Sequence, residues 1–244
     1  MPKKDLSNDE STIEKLTHLG RKLAGQLDDA DHENLTIDTQ VRSKSNVEYD
    51  EDLGRLSLGD SYSTRKFLNI SHARKFMQTM MIASKCKELI EEGRTASIRE
   101  LYYQLKHTIP GLNENTLENQ DESNPVIVDL ETALDSLREH LHLIAEPKGR
   151  LFGPITIEDE GDQIDCLKLG KSGLGVPSMV DDYKFVEHSA DYVLVCETSA
   201  MAARLVEEDF HKKENAIIVS AGGQPSRGVR RLTNILHKRL DLPV

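Results

Sequence analysis

Apolar residues recur at helical spacing through much of this chain and alternate with polar ones in a few short stretches. Ile13, Leu16, Leu19, Leu23 and Ala24 line one side of a helix expected over 12–27. The segment NLTIDTQVRSKSNVEYDEDLGRLSLGD then alternates apolar and polar, predicting one or two short strands. A second helix is predicted over 72–92, with Phe76, Met77, Met80, Ala83, Cys86, Leu89 and Ile90 on its buried side and Gly93 able to cap it. Ser97 and Glu100 form an S-x-x-E capping box that starts a third helix at Ile98, and Pro110-Gly111 stops it. Another begins near Asn124-Pro125 and runs through Val126, Ile127, Leu130, Leu134 and Leu137.

HLHLIAE (140–146), a turn at Pro147-Lys148-Gly149 and LFGPITI (151–157) read as a hairpin, so 67–150 is expected to be a winged helix of the CAP type, a DNA-binding module. His140 and His142 would share a strand face; with no third ligand nearby they read as part of an exposed wing and not as a metal site. From residue 190 the pattern changes. ADYVLVCETS and NAIIVSAGG are near-continuous apolar strands, AMAARLVEEDF and GVRRLTNILHKRL are helices, and DLPV looks like the start of a third strand. Such alternation means a parallel sheet, with ligands beyond the carboxyl ends of its strands, where Glu197 and Gly222-Gly223 fall. The fold class is therefore α+β and multidomain: an arm (1–66), a winged-helix domain (67–150), a connecting segment (151–189) and an α/β domain (190–244).

Composition adds limits. No apolar run approaches the roughly 20 residues of a membrane span, and the lysine-bearing start lacks a signal-peptide core, so no membrane role and a cytoplasmic setting are expected. Cys86, Cys166 and Cys196 lack CxxC spacing and read as buried thiols. The net charge of −11 argues against DNA binding until its distribution is considered. Residues 65–107 carry nine Lys/Arg against four Glu, and 216–240 contain Arg227, Arg230, Arg231, Lys238 and Arg239 with no acid. Basic stretches on an acidic body suit a protein that grips phosphate locally.

On the helix SIRELYYQLKH, Ile98, Leu101, Tyr102 and Leu105 form the buried stripe. Tyr103 points elsewhere, with Arg99 four before it, Lys106 three after and His107 four after. By itself, a tyrosine on a basic helix is more often an ordinary surface residue. A phenol among three cationic or potentially cationic groups nevertheless suits attack on a phosphodiester.

The motif SIRELYY, preceded by FMQTMMIASKCKELIEEG and followed by NQDESNPVIVDLE, resembles the A-subunit family of the archaeal type IIB enzyme DNA topoisomerase VI, whose eukaryotic relative is the meiotic double-strand-break protein. RSKSNVEYDEDLG (42–54), LREHLHLIAEPKG (137–149), ADYVLVCET (190–198) and GGQPSRGVRRL (222–232) follow the same family in the same order, covering about residue 40 onward. The resemblance implies that Tyr103 is the nucleophile, giving a transient 5′-phosphotyrosine double-strand break for strand passage, relaxation and decatenation. Arg99 would steady the phosphate charge. Arg94, Lys106, His107, Arg227, Arg230 and Arg231 are the expected DNA contacts. Residues 190–244 would be a Toprim domain in which Glu197 binds Mg2+. It further implies a homodimer in which each tyrosine works with the Toprim face of its dimer mate, within a heterotetramer of two A and two B subunits on double-stranded DNA. ATP would be bound by the B subunit, since this chain has no GxxxxGK[ST] loop and Gly170-Lys171-Ser172 lacks its context. In the family the strand beginning at DLPV continues to an Asp-x-Asp pair that completes the metal site. The sequence ends at Val244 before that pair, so a C-terminally truncated form, inactive alone, is expected. The alternative is a non-catalytic DNA-binding winged-helix fragment.

Overall fold

The computed structural model describes residues 6–28, 35–50 and 55–244. These fold as two compact units that divide between Ile144 and Ala145.

The first unit opens with α1 (Leu6–Asp28). Short strands β1 (Thr36–Gln40), β2 (Val47–Asp50), β3 (Arg55–Leu58) and β4 (Tyr62–Lys66) follow as nested antiparallel pairs, β2 with β3 inside β1 with β4; three of them fall in the segment expected to hold one or two. Buried Asn46 ties the nest together: its amide donates to the carbonyls of Val41 (2.7 Å), Gly59 (3.1 Å) and Ser61 (3.2 Å), and its oxygen accepts from Ser61 N–H. Helix α2 (Ile70–Glu92) starts at Asn69, whose side chain accepts from Ser71 N–H, and stops at Gly93 in the left-handed conformation. Strand β5 (Ala96–Ser97) leads into α3 (Ile98–Leu105), and α4 is Ser123–Leu134. Leu16 of α1, Ile82, Cys86 and Leu89 of α2, Leu101 of α3 and Ile127 and Leu130 of α4 share one core. Residues of the expected arm thus pack on α2 and α4 of their own chain. Arg42 and Arg65 also converge on the buried Asp129 carboxylate of α4.

Two expectations fail here. Asp135 adopts the left-handed conformation and ends α4, so Leu137 lies outside it, 47% exposed. The hairpin across 140–157 does not form. Strand β6 (Leu143–Ile144) pairs in parallel with β5, and β7 (Arg150–Phe152) pairs with strands of the second unit. The reason lies at 137–142, which the Glu131 carboxylate winds into turns by accepting from Arg138 N–H (2.8 Å) and the Arg138 guanidinium (3.0 Å). His142, at φ +58°, is buried there with Nδ1 2.7 Å from Arg94 O and Nε2 2.9 Å from an Asp9 carboxylate oxygen. It is a tie between α1 and the entry to α3, not part of a strand face shared with His140.

The second unit contains β7, β8 (Ile155–Asp159), β9 (Asp162–Asp165), β10 (Leu174–Gly175), β11 (Lys184–His188), β12 (Tyr192–Cys196), α5 (Ser199–Glu207), α6 (Phe210–Lys213), β13 (Ala216–Ser220) and α7 (Arg227–Leu240). Strands β12 and β13 are parallel, as their apolar runs predict. Beyond them β7 joins β13 antiparallel and β10 joins β7, making a mixed sheet in the order β10-β7-β13-β12. β13 is buried along its whole length. Leu151, Val193, Ile217 and Val219 pack with Val229, Leu232 and Leu236 of α7, and Phe152, Cys196 and Ile218 pack with Ala202 and Val206 of α5. Residues 151–189, expected as a connection, instead carry an antiparallel sheet β11-β8-β9 whose Ile155 and Ile157 enter the same core as α7. DLPV forms no strand: Asp241 is left-handed, and Pro243 O accepts one bond, from Val193 N–H (2.8 Å).

Candidate functional site

Helix α3 carries the nucleophile candidate. The Ser97 hydroxyl accepts from Glu100 N–H at 3.0 Å, fixing the start at Ile98 as the capping pattern predicts. Its end comes before Pro110-Gly111, where Thr116 donates to Leu105 O (2.6 Å) and accepts from His107 N–H (3.1 Å). The helical phase then separates the tandem tyrosines. Tyr102 is 8% exposed and Tyr103 is 60% exposed. The Arg99 guanidinium carbon sits 5.9 Å from the Tyr103 ring centroid. The two tyrosine rings are 5.1 Å apart and tilted by 56°.

Lys106 departs from expectation. Its ammonium donates to the Tyr102 hydroxyl (2.9 Å) and to Glu118 O (3.3 Å), and lies 5.3 Å from the Tyr102 ring centroid. The phenol bond holds the ammonium above the ordinary lysine range. The Tyr102 hydroxyl in turn donates to Glu118 O at 3.0 Å. Arg94 is neutralised by Glu92 through its Nε (2.7 Å) and a second guanidinium nitrogen. His107 is exposed just past the helix. Arg99, Tyr102 and Tyr103 are thus gathered on α3, with Lys106 at its C-cap and Arg94 and His107 flanking it.

The remaining candidates lie in the second unit. Glu197 follows β12 and is exposed; its carbonyl accepts from Gly223 N–H (2.7 Å), while Ala221 N–H donates to Cys196 O (2.8 Å). These bonds hold Gly222-Gly223 beside Glu197 at the strand ends. Ser226 caps α7 by accepting from Val229 N–H, and Lys148 donates to Gln224 O (3.0 Å) in the intervening loop. Arg227 and Arg230 occupy the first turn of α7, Arg230 exposed. Arg231 grips Asp181 through two guanidinium nitrogens at 2.5–3.2 Å, which keeps it above the ordinary arginine range.

Among the described residues, no three His, Cys, Asp or Glu side chains are grouped to hold a metal. Glu197 alone offers one carboxylate, short of the oxygen ligands that Mg2+ takes from carboxylates, phosphates and water together. These residues do not by themselves make a magnesium centre.

Sequence reasoning missed Glu118, Thr116 and Asp181. The Glu92–Arg94 pair was legible two residues apart; Asp181, fifty residues from Arg231, left no such signal.

Three family models match the chain. Residues 74–143 match a type IIB DNA topoisomerase model, 146–189 the all-beta domain of the DNA topoisomerase VI alpha subunit, and 192–244 the Toprim domain shared by topoisomerase 6 A subunits and Spo11. The type 2 DNA topoisomerase 6 A subunit of Pyrococcus abyssi is 46% identical over 244 residues, all of this chain and 63% of that protein. Its counterpart from Halobacterium salinarum is 36% identical over 98% of the chain and 66% of its own length. That of Methanothermobacter thermautotrophicus is 38% identical over 96% and 65%. The chain therefore spans a little under two thirds of these relatives. With all three models in order along it and a mixed α/β fold that contains the Toprim segment, the chain belongs to the family of type IIB topoisomerase A subunits, that of DNA topoisomerase VI.

Proposed function

We propose that this chain is the DNA-cleaving part of a type IIB topoisomerase, with Tyr103 as the nucleophile. One observation carries the reading: α3 turns Tyr103 out to solvent beneath Arg99, while the adjacent Tyr102 is turned inward with its hydroxyl already bonded on both sides. Tyr103 oxygen attacks a backbone phosphorus, an O–P bond forms as the P–O3′ bond breaks, and the proton lost by the phenol is balanced by the one the 3′ oxygen takes up. One ester replaces another, so resealing needs no outside energy. Arg99 would place a fixed fork of donors against the phosphate oxygens.

Residues 67–150 are the DNA-binding and cleavage region in this reading, through α2–α4 and without the expected wing hairpin; 1–66 are an arm, and 190–244 the Toprim domain. Arg227 and Arg230 at the start of α7 suit phosphate contact. The working assembly is a homodimer joined by two B subunits that bind ATP. Divalent-metal dependence enters through the Toprim family, with Glu197 the residue here that would face Mg2+. No step above depends on the ion.

The test is the covalent adduct. In the assembly with the B subunit, ATP and Mg2+, Tyr103→Phe should abolish denaturation-resistant protein–DNA adducts. Its stability should stay within about 0.5 kcal/mol, as for most exposed positions. Adducts surviving in Tyr103→Phe would refute the assignment. DNA binding with no adduct even in the unaltered protein would favour a non-catalytic DNA-binding chain.

A further inference from the structure

We propose that Lys106, at the C-cap of α3, is a second phosphate-binding group and that Tyr102 is its positioning residue, an inference that rests on Tyr103 facing DNA. Four other cations of the first unit are engaged by carboxylates: Arg74 by Glu114 (3.0 Å), Lys85 by Glu88 (2.5 Å), Lys87 by Glu91 and Arg94 by Glu92. Lys106 is held differently. Its two hydrogen-bond acceptors are neutral, the Tyr102 phenol (2.9 Å) and the Glu118 carbonyl (3.3 Å). An exposed ammonium fixed by neutral acceptors keeps both its charge and a remaining donor for an incoming anion.

The fixing depends on the phenol. Tyr102 donates to Glu118 O and accepts from Lys106, so a buried ring and a backbone carbonyl together aim a flexible side chain. Without that oxygen, Lys106 retains only the longer bond to Glu118. The two cations bracket the tyrosine pair, Arg99 against Tyr103 and Lys106 against Tyr102. A nucleophile aimed at one phosphate leaves the next phosphate of the strand to be held, and Lys106 has the charge, exposure and fixation for that contact.

The experiment is a double-variant cycle on duplex-DNA affinity across a salt series. Lys106→Met should lower the log–log salt slope by about 0.9, the value of one phosphate contact. Tyr102→Phe should weaken binding by about two- to tenfold, the loss of one hydrogen bond, when Lys106 is present. In the Lys106→Met background the same change should do nothing, which a packing role for Tyr102 would not produce. An unchanged slope in Lys106→Met, or equal losses from Tyr102→Phe in both backgrounds, overturns the inference while the nucleophile assignment stands on its adduct test. Failure of the unaltered chain to bind DNA overturns this inference together with the reading beneath it. Should Tyr102→Phe unfold, the Lys106→Met slope decides alone.

Discussion

Tyr102 and Tyr103 are chemically identical neighbours, and one residue of helical rotation gives them opposite environments. The same dependence on environment governs the three cysteines, all free and buried. Burial pushes the Cys86 thiol up to about 12 and the Cys166 thiol up to about 11, and raises Cys196 as well. The thiolate is the reactive form, so native protein at pH 8 should react slowly with a thiol-directed reagent, with Cys86 last. Rapid labelling of Cys86 before Cys196 would contradict this. The sign of the stability effect follows. An acid whose folded pKa is raised keeps its proton in the folded state while the unfolded thiol loses it. Stability is therefore unaffected below about pH 9 and falls as pH climbs toward 11–12. Tyr183, pushed up to about 12 by burial, adds to the same alkaline loss. A melting temperature flat to pH 9 and declining above it is the expected profile.

Elements differed in how far the sequence announced them. Helix α2 has a cap at each end and a buried stripe between, so local chemistry sufficed. The failed hairpin shows the limit. HLHLIAE looks like a strand, but its path is decided by side chains outside it, Glu131 on the preceding helix and Asp9, which is 133 residues from His142 and lies in no window around 140–146. What holds the Lys106 ammonium was hidden for a similar reason, since its partner Glu118 O comes from a loop beyond the helix. Strand β7 depends on a detail equally invisible to hydropathy. Gly149, at φ +94°, precedes it, and a Cβ there would lie 2.6 Å from Ser220 O of β13 and 2.4 Å from Val229 Cγ2 of α7. Gly149→Ala should cost about 2 kcal/mol or more through strain and clash together, read by denaturant unfolding; a change under about 0.5 kcal/mol would show that the sheet yields easily. Helix α6 offers a test at acid pH. His211 is buried and its Nδ1 lacks a hydrogen-bond partner, and desolvation lowers its pKa below the ordinary 6.5. A base with a lowered folded pKa is charged first in the unfolded state. Its contribution is present above about pH 6.5 and lost as pH falls below it. His211→Gln should flatten that decline; an unchanged acid limb would assign it to other groups.

At the scale of the whole molecule the proposed function raises the question of how a chain of net charge −11 would hold DNA. Ion pairing sharpens the problem, because Arg94 and Arg231 are neutralised by Glu92 and Asp181 and add little long-range field. The field left for an incoming phosphate is local: Lys106 at the end of α3 and Arg230 on α7, each against an acidic background. Screening then acts in both directions. Near 0.15 M salt the Debye length is about 8 Å, so a phosphate at α3 feels the nearby cations more than the distant acids. Near 0.01 M it reaches about 30 Å, and the whole acidic body opposes approach. Duplex-DNA affinity should therefore fall steeply as salt rises above physiological strength, by roughly 0.9 log unit per log unit of salt for each phosphate contacted. It should flatten or turn over at the lowest salt, where a basic protein would keep gaining. The effect should be alike across DNA sequences, since phosphate contacts carry no base information. Charge reversals sort the cations. Lys106→Glu should weaken binding strongly, whereas Arg94→Glu should do less, because the lost cation was already paired with Glu92. Affinity independent of salt, or Arg94→Glu matching Lys106→Glu, would mean that DNA is held by another surface.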